Sequence, residues 1–316
     1  MRRCYTAKVW EELLKDVGVP GYSAYLAESA FRRLEFDVYE HVRSLFRLEA
    51  EPRELLALLQ AHPHVSFSDL GGGSFIMSLN LRTMTEMARK LGCDGEECAE
   101  ISRHLPIVSS SVAACLEGGR EERFEGVKPS SAGTSETDFR VLPVQHLTTA
   151  QVLKLAGREM SQGELMKHSF ATLEVEGISR AASHQLVRHR LFSYSQESQR
   201  FSDAVNESGL IPPSVASNRE AVAIFNRQLE AGGLAYNKLR DLGIKKEDAR
   251  FLLPTAIKTK ILMTGSLRQI VHASFYRSSF SDVGSKAQWE INHLFTRVYE
   301  ILRDANGALP EKIAEV

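Results

Sequence analysis

The sequence predicts an α+β fold, and three observations lead to that class. Residues 169–176, SFATLEVE, alternate apolar and polar side chains, which is the period of a half-buried strand. Residues 266–275 and 291–302 instead repeat their apolar side chains at the helical period. Strands and helices do not alternate as regular βαβ units, so we expect mixed helices with an antiparallel sheet in the second half of the chain.

Local signals set the boundaries of these elements. Gly177 is expected to end the strand, and Ser179 to cap a helix that covers ISRAASHQLVRHR. A short helical segment is expected at residues 249–253, where Pro254 interrupts it. Ser266 is placed to cap the next helix. The apolar stripes of the last two helices consist of Leu267, Ile270, Val271 and Phe275, and of Ile291, Leu294, Phe295, Val298, Ile301 and Leu302.

Composition limits the class of protein. The 316 residues carry 39 Lys and Arg against 40 Asp and Glu, so no broad basic surface for nucleic acid or an acidic membrane is expected. The first residues lack a continuous apolar stretch, and no 18 apolar residues run together, so we expect a cytoplasmic protein outside the membrane. The cysteines lack the paired spacing of a zinc site, so we expect reduced thiols and no metal. They are Cys4, Cys93, Cys98 and Cys115.

The chain divides into two halves. Residues 117–138 are rich in Gly, Ser, Thr and charge, and they predict a linker between a first half (1–116) and a second half (139–316). The sequence FIMSLNLR at residues 75–82 aligns with ILMTGSLR at residues 261–268. This match favours a degenerate internal repeat.

The stretch RHRLFSYSQESQRFS, residues 188–202, concentrates arginines and hydroxyls. Gln185 and Arg188 are three residues apart and are expected to share one helix face. Arginine forks next to serine hydroxyls suit a phosphate monoester, whose oxygens accept several hydrogen bonds. The alternative is a solvated helix end with surface salt bridges.

The spacing of the stretch resembles one family. RHR followed by seven residues and then Ser198 is similar to the motif of the flavin-dependent thymidylate synthases. The preceding GISRAASHQLV resembles that family too. Arg250 with Pro254, the sequence SLR from Ser266, Arg277 and the sequence AQWEI follow in the family's order. The resemblance covers residues 140–305.

The resemblance implies an activity and a set of site residues. The family transfers a methylene group from methylenetetrahydrofolate to deoxyuridine monophosphate (dUMP) and reduces it with a flavin hydride derived from NADPH. Arg277 would lie against the uracil and favour its ionised N3. The implied dUMP ligands are Gln185, Arg188, Gln196, Ser198, Gln199, Arg200 and Arg250. The implied FAD ligands are Arg188, His189, Arg190, Ser266 and His272. A flavin route needs no enzyme thiolate, which agrees with the absence of cysteine after Cys115.

One segment departs from the family. Where the family has His-x-Ser/Thr-x-x-Glu-His, residues 162–168 read QGELMKH, so that Glu164 stands for the small hydroxyl and Lys167 for the glutamate. Ser266 replaces an asparagine. These changes favour an alternative to the synthase, a catalytically silent paralogue that binds nucleotide or scaffolds a partner.

The first half has two interpretations. In the repeat, Asn80 occupies the position of Ser266, so the first half is either a degenerate second copy that completes a shared site or a packing unit. Family members are homotetramers with sites between subunits, so the resemblance implies a homo-oligomer, either a dimer of tandem chains or a tetramer.

Overall fold

The computed structural model describes residues 40–41, 43–49, 52–53, 56, 64–80, 82–83, 139–202, 209–279, 286–307 and 309–310. The predicted linker and all four cysteines lie outside these residues. The strands are β1 (Arg43–Glu49), β2 (Ser66–Gly71), β3 (Ser74–Asn80), β4 (Arg140–Leu147), β5 (Phe170–Ser179), β6 (Ser193–Gln196) and β7 (Lys258–Ser266). The helices are α1 (Thr149–Ala156), α2 (Gln162–His168), α3 (Arg180–Leu186), α4 (Pro213–Ala216), α5 (Arg219–Asp241), α6 (Lys246–Ala249), α7 (Leu267–Arg277) and α8 (Trp289–Asn306), with a 3₁₀ turn at Arg250–Leu252.

The strands form two antiparallel sheets, which confirms the predicted α+β class. The first sheet has the order β1-β3-β2 and the second has the order β4-β5-β7-β6. The main core lies between the apolar face of the second sheet and helices α3, α7 and α8. The apolar stripes predicted for the last two helices are buried there. Phe295 is fully buried, so truncating a side chain of this kind to alanine costs about 3–5 kcal/mol.

The predicted helix caps are present. The Ser179 hydroxyl accepts from the backbone N–H of Ala182, and that of Ser266 accepts from the backbone N–H of Gln269. Each hydroxyl satisfies a donor that the first helical turn leaves without an intrahelical partner. Both helices therefore begin at the residues that the sequence indicates.

The strand predicted at residues 169–176 is present as part of β5, but the prediction that it is half-buried is wrong. The polar side chains of Thr172 and Glu174 are only 4% and 1% exposed, so both faces of β5 are covered. Gly177 does not end the strand either, because it adopts a φ of 90° at a bulge and β5 continues to Ser179. The polar face is buried because the first half contacts it, and His41 bonds to Thr264 on the strand paired with β5.

The helix that carries the arginine stretch ends earlier than predicted, at Leu186. The backbone N–H of Arg188 donates to the carbonyl of Gln185 (3.2 Å), and that of His189 donates to the carbonyl of Leu186 (3.1 Å). These are turn bonds between residues three apart. The chain must reverse here because β6, which pairs with β7, begins at Ser193. Arg188, His189 and Arg190 therefore lie on a turn.

The two sheets pair their strands in the same register. In both, the central strand (β3 or β7) ends at a residue whose side chain accepts a backbone N–H three residues later: Asn80 in the first and Ser266 in the second. Equivalent pairs are Arg43–Asn80 and Phe170–Ser266, Glu49–Ser74 and Glu176–Lys260, and Ser66–Ser78 and Ser193–Thr264. The alignment found in the sequence thus extends to the strand pairings.

Two histidines join the halves reciprocally. His41 stands two residues before β1 and His168 stands two residues before β5, and each bonds to the sheet of the other half. The hydrogen bonds join His41 Nδ1 to Thr264 Oγ1 (2.7 Å), His41 Nε2 to Ser195 Oγ (3.0 Å), His168 Nδ1 to Ser78 Oγ (2.9 Å) and His168 Nε2 to Ser68 Oγ (2.9 Å). The shared register makes Ser78 equivalent to Thr264, and Ser68 to Ser195. The same pair of histidine–hydroxyl bonds is therefore made in both directions, from the first half to the second and from the second half to the first.

An apolar cluster also connects the halves. Leu70 and Ile76 of the first sheet pack on Val152 and Ala156 of α1 and on Leu165 of α2. These side chains are at most 9% exposed. Burial of this apolar surface holds the first sheet against the second half independently of the histidines.

The bridging histidines predict a pH-dependent stability. Burial lowers the pKa of both His41 and His168 from 6.5 to about 4. The neutral forms are favoured in the folded state, so their contribution is present above pH 6.5 and is lost as pH falls towards 4. We expect the free energy of unfolding to fall by up to about 1.4 kcal/mol per pH unit for each histidine in that window.

Urea unfolding at several pH values between 7 and 4.5 measures this dependence. His41→Gln keeps polar groups at the site but does not titrate, so it should flatten the dependence. An equally steep dependence in wild type and His41→Gln would contradict the assignment.

Candidate functional site

The first group of candidate residues surrounds His189. The guanidinium Nε of Arg277 donates to His189 Nε2 at 3.2 Å, which joins the end of α7 to the turn after α3. The His189 ring packs edge-on against Phe295, with ring centroids 5.3 Å apart. His272, one of the predicted FAD ligands on α7, lies near enough to act on His189 electrostatically. The structure therefore brings His189, His272 and Arg277 together.

His189 is neutral at physiological pH. Burial, together with the nearby charges of Arg277 and His272, lowers its pKa from 6.5 to about 4. Because Nε2 accepts the hydrogen bond from Arg277, the single ring proton of the neutral form lies on Nδ1. A neutral acceptor fixes the direction of the Arg277 guanidinium without neutralising its charge.

Arg188 and Arg190 flank this histidine on the turn. Both side chains are exposed, and neither pairs with a carboxylate among the residues that the structure describes. Gln185, on the last turn of α3, is exposed as well. The end of α3 and the turn after it therefore present two guanidiniums and an amide to solvent, next in sequence to His189.

The second group lies beyond β6. Arg200 Nε lies 3.2 Å from the Glu247 carboxylate, and Arg250 Nε donates to the Glu247 carbonyl at 3.2 Å. The Ser198 hydroxyl accepts from the backbone N–H of Arg200 at 3.3 Å. Arg200 thus contacts the side chain of Glu247 and Arg250 contacts its backbone carbonyl, so two guanidiniums and one carboxylate leave one positive charge in excess for an anion. No described hydrogen bond or ion pair links this group to the first.

Two predicted nucleotide ligands and one predicted FAD ligand have partly or fully buried side chains. The Gln196 amide donates inward to the hydroxyls of Ser183 (2.7 Å) and Thr259 (3.4 Å), so it holds the end of β6. Gln199 is half-buried in the turn that follows. Ser266 is only 5% exposed, and its hydroxyl already caps α7.

Comparison with known proteins places the chain in a family. Residues 117–306, more than half of the chain, match the family described as thymidylate synthase complementing protein. The chain belongs to this family.

Individual family members are similar over the second half. The flavin-dependent thymidylate synthase of Geobacter sulfurreducens is 38% identical over 170 residues, which are 52% of this chain and 70% of that one. That of Pyrococcus furiosus is 36% identical over 150 residues, 46% of this chain and 59% of that one. The chain thus spans between about half and two thirds of the length of most of the curated relatives that it matches.

A solved structure is similar at a lower level. The UMP/dUMP methylase PolB from Streptomyces cacaoi, bound with 5-Br UMP, matches with a TM-score of 0.46 and 20% identity over 54% of this chain and 92% of that one. Separately, none of the helices within the described residues is long and apolar enough to cross a membrane.

Two buried carboxylates hold parts of the candidate site in place, and the sequence did not predict either of them. Glu290, in the sequence AQWEI, accepts from the backbone N–H (2.6 Å) and the hydroxyl (2.7 Å) of Ser179. Burial raises the pKa of Glu290, and the bonds from Ser179 oppose that shift. This carboxylate fixes the start of α3, which carries Gln185. Glu290 is four residues before Leu294 and so lies on the apolar face of the predicted helix, and a charged residue at such a position could have indicated a structural role.

The other carboxylate lies inside the arginine stretch. Glu197 forms an ion pair with Lys260 of β7 at 3.5 Å, and both side chains are only 9% exposed. The backbone carbonyl of Glu197 also accepts from Arg180 at 2.8 Å. Breaking a buried pair of this kind costs about 3–5 kcal/mol. Glu197 therefore fixes the chain one residue before Ser198, and its place within the motif could have indicated this.

Proposed function

We propose that this protein is a flavin-dependent thymidylate synthase that methylates dUMP to dTMP. The observation that carries the proposal is the Arg277 guanidinium, held by neutral His189, which stands in the sequence between exposed Arg188 and Arg190. A fixed cation on a turn whose two arginines pair with no described carboxylate suits a substrate and a cofactor that are both anionic. The relatives named flavin-dependent thymidylate synthase support the same assignment.

The nucleotide would be bound by both groups of residues. Arg200 pairs with the Glu247 carboxylate and Arg250 donates to the Glu247 carbonyl, so the group retains one positive charge, which suits the phosphate of dUMP. Gln185 and Arg188 would add an exposed amide and an exposed guanidinium. The complete proposed set is Gln185, Arg188, Gln196, Ser198, Gln199, Arg200 and Arg250.

Arg277 would act on the uracil. Its guanidinium stays protonated in proteins, so it stabilises negative charge on the ring wherever that charge develops. The ionised ring is the better nucleophile at C5. His189 Nε2 holds the guanidinium in place by accepting its Nε–H, and the low pKa of His189 keeps that acceptor available at neutral pH.

The residues at the turn fit FAD. The pyrophosphate of the cofactor requires cationic donors, and the guanidiniums of Arg188 and Arg190 are exposed and pair with no described carboxylate. His189 and exposed His272 add imidazole nitrogens nearby. Ser266 fits less well, because it is buried and engaged in a helix cap. When bound, the flavin would supply the hydride, with NADPH and methylenetetrahydrofolate as co-substrates.

We further propose that the first half is a degenerate second copy that serves as a built-in partner. The equal strand registers and the reciprocal bonds of His41 and His168 support this. In sequence, the positions aligned with Arg188 and Arg190 are Ala61 and Pro63, and a glycine turn joins β2 to β3 where the second half has its nucleotide segment. The chain would therefore carry one nucleotide site and assemble as a homo-oligomer, such as a dimer of tandem chains.

A silent paralogue is the second candidate, and Lys167 favours it. The Lys167 ammonium donates to the backbone carbonyl of Phe67 in the first half, so a cation engaged with protein occupies the place of the family's glutamate. Burial lowers the pKa of Lys167. Absorbance of the purified protein separates the two candidates. A synthase should be yellow or become so with added FAD, whereas a protein that binds dUMP but no FAD would be the silent paralogue.

The flavin route predicts that no cysteine is essential. Replacing Cys4, Cys93, Cys98 and Cys115 with serine should leave dTMP formation largely unchanged, because the hydride route needs no thiolate nucleophile. Circular dichroism checks that the quadruple variant is folded. Loss of activity in a folded variant would indicate a thiolate mechanism instead.

A further inference from the structure

We infer that His41, from the first half, positions the nucleotide segment of the second half (residues 195–200) through its hydrogen bond to Ser195. The inference rests on the proposed function, because it concerns how the dUMP ligands are held in place. It gives the first half a role in substrate binding beyond packing.

The strand that leads into this segment has little support of its own. β6 is four residues long and lies at the edge of its sheet, where β7 is its one neighbour among the strands that the structure describes. An edge strand this short is held by few ladder hydrogen bonds, so its end is free to shift unless side chains fix it.

His41 fixes that end from outside the sheet. Its Nε2 bonds to Ser195 Oγ at 3.0 Å and its Nδ1 bonds to Thr264 Oγ1 on β7 at 2.7 Å. Thr264 is bonded in turn to Thr172 of β5 at 2.7 Å. The imidazole ring therefore links β6 to β7, and through Thr264 to β5, and it is itself only 8% exposed.

The residues after Ser195 are anchored one by one. Gln196 bonds to Ser183, and Glu197 pairs with Lys260 in the interior. Ser198 and Arg200 follow within three residues and are the first proposed nucleotide ligands that are not anchored in the sheet. The bond from His41 to Ser195 is the first of three consecutive anchors before Ser198, so its loss should loosen the segment that places Ser198 and Arg200.

The other half provides a matched control. His168 makes the same pair of bonds to Ser68 and Ser78, but the strand that contains Ser68 leads into the glycine turn at Gly72. No proposed nucleotide ligand follows there. Removing Ser68 should therefore cost the same hydrogen bond without reaching the site.

The experiment compares Ser195→Ala with Ser68→Ala in the full-length chain, by calorimetric titration with dUMP and by urea unfolding. One lost hydrogen bond of about 0.5–1.5 kcal/mol corresponds to a loss of affinity of about 2- to 12-fold. We expect a loss in that range, near fivefold, for Ser195→Ala and less than about twofold for Ser68→Ala, with similar shifts in unfolding midpoint. Ser195→Thr, which keeps the hydroxyl, should restore the affinity.

The double variant His41→Phe with Ser195→Ala tests whether the two residues act through one bond. Its affinity should match that of His41→Phe alone, because the bond is already lost. Equal affinities for dUMP in wild type, Ser195→Ala and Ser68→Ala, or equal losses in both serine variants, would overturn the inference and leave the proposed function intact. Failure of the wild type to bind dUMP would overturn the proposed function, and this inference with it.

Discussion

Arg190→Ala should remove the flavin from the protein and leave dUMP binding intact, whereas Arg200→Ala should do the opposite. Arg190 is the third residue and Arg200 the last of the stretch RHRLFSYSQESQR, and their contacts differ. Arg190 is exposed beside the His189–Arg277 pair and pairs with no described carboxylate. Arg200 belongs to the other group, where it pairs with the Glu247 carboxylate while Arg250 donates to the Glu247 backbone carbonyl.

The expected effects are large because each arginine would lose a charge-assisted bond to a phosphate. Such bonds contribute about 1.5–3 kcal/mol, which is about a 10- to 150-fold change in affinity. Arg250→Ala should resemble Arg200→Ala, since both guanidiniums are proposed to bind the phosphate of dUMP. Arg188→Ala should weaken both ligands, because Arg188 is proposed as a ligand of dUMP and of FAD.

Flavin absorbance and calorimetric titration with dUMP measure the two affinities separately. Arg303→Ala is a suitable control, since this arginine forms an exposed pair with Asp304 near the end of α8. Wild-type affinity for dUMP in both Arg200→Ala and Arg250→Ala would show that the anion site lies elsewhere. Equal losses of both ligands in Arg190→Ala and Arg200→Ala would contradict the division between them.

Arg277→Ala should reduce turnover by about 10²–10³-fold with a smaller change in dUMP affinity. The expected size is that of removing one electrostatic donor that acts on charge developing in the transition state. Arg277 is half-buried and oriented by His189, so its replacement leaves no other described side chain bonded to His189 Nε2. Single-turnover measurements at saturating dUMP separate the chemical step from binding.

The same variant has a spectroscopic consequence. Arg277 is one of the groups that lower the pKa of His189, so its removal should raise that pKa above its value of about 4. NMR titration of the His189 ring measures the change. Arg277→Lys keeps a charge but not the fixed fork, and it should recover only part of the turnover. Unchanged turnover in Arg277→Ala would exclude a catalytic role for this residue.

Local features of the sequence were predictable and are confirmed. Ser179 and Ser266 cap helices, and the stripes from Leu267 and from Ile291 are buried, because caps and helical periods depend on neighbours a few residues away. The resemblance carried by RHR and Ser198 identified the family for the same reason. All of these features depend on the spacing of residues that are close together in the sequence.

Features that depend on distant residues were not predictable. The alternation in SFATLEVE indicates one solvated face, but Thr172 and Glu174 are buried, and His41 of the first half bonds to Thr264 on the strand paired with β5. The helix before RHR ends at Leu186 because β6 must pair with β7, a constraint set more than sixty residues further along the chain. The reciprocal bonds of His41 and His168 likewise required both sheets to be seen together.

A single-turnover experiment tests the proposed activity most directly. The purified protein, loaded with FAD and reduced by NADPH without oxygen, is mixed with dUMP and methylenetetrahydrofolate, and flavin absorbance and dTMP are followed together. We predict that the oxidised flavin band returns as dTMP forms, with one dTMP per flavin bound. A protein that takes up no FAD, or whose reduced flavin stays reduced while dUMP is bound and no dTMP appears, would contradict the assignment as a flavin-dependent thymidylate synthase.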